Sequence, residues 1–165
     1  MKVSRLYSGF LVFLFISFEP AWGVQVGEKA PACKKPFLES KQLFDIEAYR
    51  GKALLIDFWA TWCPPCKRAI PFLNDLRNEF ADSGFEIIAV NVDEETQDLD
   101  AFLKTYPINY KVLVDAQGDC PKAYGVLGMP SSYFVDKSGK VDFIHIGFRD
   151  SDKAEIRARI KKLLE

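Results

Sequence analysis

Cys63 and Cys66 stand two residues apart in FWATWCPPCKRAIPF, from Phe58 to Phe72. A C-x-x-C pair serves zinc sites, iron–sulfur clusters and redox dithiols alike, so its chemistry is decided by what surrounds it. A zinc site needs about four ligands. The chain carries neither a second C-x-x-C nor a histidine pair, His145 being its single histidine. A four-cysteine cage that adds Cys33 and Cys120 stays open, and with it a metal-binding chaperone that uses Cys63 and Cys66. Copper delivery has one histidine and no methionine cluster to draw on, which is a poor ligand set. A purely structural 63–66 bridge would close so small a loop that it removes little unfolded-state entropy. Electron exchange fits better. A thiolate at a helix N-terminus is stabilised by the dipole and by free N–H groups, and a partner about one turn further in can resolve a mixed disulfide.

The neighbouring elements supply that setting. ALLIDFW, from Ala53, is a nearly continuous apolar run of the kind buried on both faces of a sheet. It carries one carboxylate, Asp57, whose burial would raise its pKa. From Cys63 to Phe80, Ile70, Leu73, Leu76 and Phe80 recur at helical spacing. Pro64 and Pro65 suit a helix's first turn, and Pro71 predicts a kink. FEIIAVNV, from Phe85 to Val92, is a second buried strand, and Glu95 to Thr105 reads as a helix with Leu99, Phe102 and Leu103 inward. A short strand is expected over Lys111–Val114 and a brief helical turn through Ala123-Tyr124. Ser132–Val135 and Val141–Ile146 flank Asp136-Lys137-Ser138-Gly139, which reads as a hairpin. A charged amphipathic helix closes the chain over Lys153–Leu164. Alternating strands and helices followed by a hairpin imply an α/β mixed sheet with helices on its faces.

The first residues differ in kind. Lys2 and Arg5 precede the apolar run GFLVFLFISF, which ends at Glu19-Pro20 before Ala21-Trp22-Gly23. This is the layout of a secretory signal, with cleavage expected between Gly23 and Val24. An uncleaved anchor is the alternative, although the run is short of the roughly 20 residues a span needs. The expected organisation is therefore a signal over 1–23 and a single domain over 24–165. Export to the periplasm would keep all four cysteines where disulfides persist. With 22 basic and 23 acidic side chains, a net charge of −1, there is no electrostatic footprint for nucleic acid.

FWATWCPPCK with Asp57 before it, Pro71 five residues after Cys66, and GMPSSYFVDKSGKV from Gly128 to Val141 resemble a thioredoxin-fold protein. VGEKAP, at Val26 to Pro31, and the helical segment between the strands at 85–92 and 111–114 resemble the exported TlpA/ResA group in particular. The resemblance implies a thioredoxin fold, with a mixed central sheet flanked by helices, an N-terminal extension and a central helical insert. It also implies a cis bond at Met129-Pro130 beside the cysteines. This chain departs from the group at Ala69, where the ResA branch has an acidic residue. Ala89 stands where thioredoxins have a lysine near the buried Asp, and Ser131 where cytochrome-maturation reductants have a glutamate.

The expected function is thiol:disulfide exchange with protein disulfides, as a reductant. Cys63 attacks, Cys66 resolves, Asp57 relays a proton, Met129 and Pro130 present the client, and Trp62 shields the site. No cofactor is needed, because the disulfide itself carries two electrons. Protein thiols and disulfides are the expected partners, with a membrane protein as electron donor, and the chain is expected to be a monomer. An oxidase that introduces disulfides is the same chemistry in reverse. Peroxidase chemistry is disfavoured by Ala60, where peroxiredoxins have threonine. Cys33 and Cys120 remain; Cys33 falls where relatives have an aromatic, and an even cysteine count outside the cytoplasm favours a second bridge between the two.

Overall fold

The computed structural model describes residues 23–165, so all but the last residue of the expected signal lies outside the described residues. Five strands form one sheet: β1 (Ala53–Trp59), β2 (Phe85–Asn91), β3 (Lys111–Val114), β4 (Ser131–Val135) and β5 (Val141–Ile146). Their order is β3-β2-β1-β4-β5. β1 pairs in parallel with β2 and antiparallel with β4. β2 and β3 run parallel, β4 and β5 antiparallel. This is a mixed sheet with the apolar β1 at its centre, where every one of its residues is buried.

Helices α1 (Pro64–Phe80), α2 (Leu99–Thr105), α3 (Asp119–Tyr124) and α4 (Lys153–Leu164) cover the sheet. Strand alternation sends Ala53, Leu55 and Trp59 to one face. There they meet Leu73 and Leu76 of α1, Phe102 of α2 and Ile156, Ile160 and Leu163 of α4. Leu54, Ile56 and Phe58 go to the other face, against Tyr124 of α3 and Phe44 and Ile46 of the N-terminal segment. Each fully buried Leu or Ile contributes about 1.5–3 kcal/mol of transfer free energy, which makes these two layers the main support of the fold.

α1 runs for 17 residues with Pro71 inside it. Two local expectations change. α2 starts at Leu99, not Glu95: Glu94 to Asp98 are exposed, and Leu99 is the first side chain there with a core to enter. α3 extends back from the expected turn to Asp119. The hairpin turn is held by Asp136, whose Oδ1 accepts from the backbone N–H of Ser138 and of Lys140, each at 2.9 Å. Gly139 closes it at φ +78°, a left-handed value that a Cβ would disfavour.

The N-terminal segment guards both sheet edges. Gly27 N–H donates to Val141 O at the start of β5 (2.7 Å), and Leu38 N–H to Val112 O of β3 (2.8 Å). Exposed edges invite pairing with other chains, and this segment occupies them. It is also tied to α3 by a disulfide between Cys33 and Cys120, with a Cα–Cα distance of 5.3 Å.

Candidate active site

Cys63 ends the loop after β1 and is the N-cap of α1; its Sγ accepts the Cys66 N–H at 3.2 Å. Pro64 and Pro65 fill the first two helical positions, so neither offers an N–H to that sulfur. Cys63 and Cys66 are bonded, with Cα atoms 5.3 Å apart. Both residues are nearly buried, at 3% and 1% exposure, yet they differ in access. Cys63 lines an open groove of about 460 Å³ with Trp62, Val92, Pro121, Val126 and Met129, and Cys66 does not. The groove is predominantly apolar at its surface. Trp62 is 65% exposed and Leu127, also in the lining, 93%. Trp62 thus lines the groove beside Cys63 while most of its own surface faces solvent. The Met129-Pro130 bond is cis, and Met129 lies in the lining.

The loop that delivers Cys63 is braced from behind by Asp93. This buried carboxylate accepts the Thr61 N–H at 3.1 Å on each oxygen and the Asn91 side-chain amide at 2.8 Å. In the sequence, the signal for Asp93 is an acid directly after a buried strand.

Asp57 is 3% exposed and alternates with Leu55 and Trp59, so it faces the α1 side of the sheet, the side on which Cys66 is buried. Its neighbours across the sheet are Ala89 on β2 and Ser132 on β4. Desolvation pushes the Asp57 carboxyl up to about 7, against the pull of a 2.6 Å hydrogen bond from the Ser132 hydroxyl to Oδ1. Position 89, its partner on β2, is alanine, so no ammonium group reaches Asp57 from there. Tyr110, just before β3, is a buried phenol held far above its ordinary pKa by desolvation and secondarily by the Asp57 charge.

The four cysteines form two bonded pairs in cores on opposite faces of the sheet, which is not the geometry of a shared cage. Among the described residues, no three or more His, Cys, Asp or Glu side chains gather as a metal site. His145 lies on β5 with Nε2 3.2 Å from Asp152 Oδ2.

A profile of the Redoxin family matches residues 25–160. The chain belongs to the Redoxin family. Within it, this Redoxin-family protein is 32% identical over 152 residues to thiol-disulfide oxidoreductase ResA of Bacillus cereus, covering 86% of this chain and 87% of that one. It is also 32% identical over 174 residues to ResA of Bacillus thuringiensis strain Al Hakam, covering 99% of each. A crystal structure from Chlorobium tepidum, provisionally named thiol:disulfide interchange protein DsbE, superposes with a TM-score of 0.82 at 35% identity, over 87% of this chain and all of that one. The Redoxin-family chain is thus a thiol-disulfide oxidoreductase of thioredoxin-like fold.

Proposed function

We propose that the protein acts in the periplasm as a reductant of protein disulfides. The carrying observation is the single backbone N–H that reaches the Cys63 sulfur, from Cys66, while prolines occupy the two positions between. Fewer donors stabilise the thiolate less, and a less stabilised thiolate makes the dithiol a better electron donor. Cys63 thiolate attacks one sulfur of the client disulfide and releases the first client thiolate. Cys66 passes its proton to Asp57 and attacks the Cys63 sulfur, releasing the second. Two electrons leave the dithiol, and the client disulfide becomes two thiols. The apolar groove receives a client segment with apolar residues beside its cysteine, and Met129-Pro130 presents it. Equilibration with glutathione should give a potential near that of thioredoxin, about −270 mV. A value above about −150 mV would reverse the direction of flow and make the protein an oxidase.

The signal-like layout before Val24 supports export, and so do four cysteines held as two disulfides. A reductant outside the cytoplasm draws its electrons through a membrane protein, and we take the working unit to be a monomer. Mass spectrometry of the exported protein should find Val24 first. A full-length chain in the membrane fraction would establish the anchor instead.

A further inference from the structure

Ser132 was read from the sequence only as the first residue of a hairpin strand. It sits two residues past the cis Met129-Pro130 bond, is 7% exposed, and is paired in register with Asp57 on the central strand. Its hydroxyl donates to Asp57 Oδ1 at 2.6 Å across 75 residues of sequence. From the geometry we propose that Ser132 is a positioning residue of the exchange reaction: its hydroxyl holds the Asp57 carboxylate and keeps it competent to receive the Cys66 proton near neutral pH. The proposal rests on the reading of Asp57 as the proton acceptor.

The surroundings leave Ser132 with little competition. On the α1 side of the sheet, β2 presents Ala89 to Asp57 and the neighbouring β3 position is Val112, while α4 brings Ile156, Ile160 and Leu163. α1 brings Cys63 and Cys66 to the same core, and the segment before β3 brings Tyr110, whose phenol stays neutral through the working range. Burial alone drives Asp57 towards the protonated form, in which it cannot act as a base. The Ser132 O–H opposes that drive, because a hydrogen bond donated to a carboxylate favours the charged form.

Hydrogen bonds to charged groups are strong enough to move a titration by roughly one to two pH units. In Ser132→Ala, carbon-13 NMR of the reduced protein should place the Asp57 carboxyl titration that much higher than in the wild type. Client reduction under single turnover should slow by roughly 5- to 50-fold at pH 7 and recover as the pH is raised through the new midpoint. Ser132→Thr keeps the hydroxyl and should return both measurements to the wild-type values. An Asp57 midpoint unmoved in Ser132→Ala overturns the inference. Asp57→Asn, measured alongside, tests the underlying reading separately. It removes a charge whose folded pKa is raised, so the stability lost as pH climbs from about 4 to about 7 returns and the variant stays folded. If the midpoint moves in Ser132→Ala while Asp57→Asn reduces clients at the wild-type rate at pH 7, Ser132 does set the carboxyl's titration. In that case Asp57 is not the base, and the catalytic part of the proposal falls.

Discussion

Cys63→Ser is expected to drop client reduction to the uncatalysed background, whereas Cys66→Ser keeps the attack and loses the release. The difference follows from where the two sulfurs lie. Cys63 forms part of the groove wall beside Trp62 and Met129, where a client sulfur can approach it, and its Sγ sits at the N-terminus of α1. A hydroxyl there remains protonated at any working pH and cannot replace a thiolate as nucleophile. Cys66 is 1% exposed, inside the first turn, and is absent from the groove lining, so its reach is to Cys63 alone. Without it the mixed disulfide between Cys63 and the client has no resolving thiol. Mass spectrometry of Cys66→Ser incubated with a disulfide-containing client should find one covalently attached client chain per protein, released by strong reductant. Multiple turnovers by Cys66→Ser, or client adducts on Cys66 in Cys63→Ser, would reverse the two roles.

The dithiol's setting was legible because it is local. A buried apolar strand, a cysteine, two prolines and a helical apolar stripe are contiguous in sequence, and β1 and α4 appear with the expected limits. The start of α2 was misread because Glu94 to Asp98 are tolerated by a helix yet have no face to bury. The N-terminal segment was less legible still. Its bridges at Lys29–Lys140 and Phe37–Leu113 are single residue pairs without periodicity, fixed by the edges they cover, and Pro36–Leu43 pairs the segment with itself. Ser132 escaped for a different reason. Its meeting with Asp57 depends on β4 lying beside β1 in one particular register, and no pattern within either strand states that register. Asp57 itself was visible as the lone acid in an apolar run, but the hydrogen bond that moderates its burial was not.

Removing the Cys33–Cys120 bridge should cost about 4–5 kcal/mol of stability, the entropy regained by an unfolded chain freed of a cross-link between residues 87 apart. At about 2–4 °C per kcal/mol for a domain of this size, the melting temperature should fall by roughly 10–20 °C. The loss is a large part of the 5–15 kcal/mol that holds a typical domain together. The fold should nevertheless survive in Cys33→Ala/Cys120→Ala at room temperature, because other contacts hold the same two segments. Lys35 Nζ lies 2.8 Å from Asp115 Oδ1 and 2.6 Å from Asp119 Oδ2. The Tyr124 hydroxyl donates to Pro31 O at 2.9 Å. Access separates this bridge from the redox pair. Both of its cysteines are 2% exposed and neither lines the groove, so an attacking thiolate cannot reach them without local opening. Mild reductant followed by alkylation and peptide mapping should therefore label Cys63 and Cys66 and spare Cys33 and Cys120. Labelling of Cys33 or Cys120 before the 63–66 pair, or a double variant that melts with the wild type, would strip the bridge of its structural role.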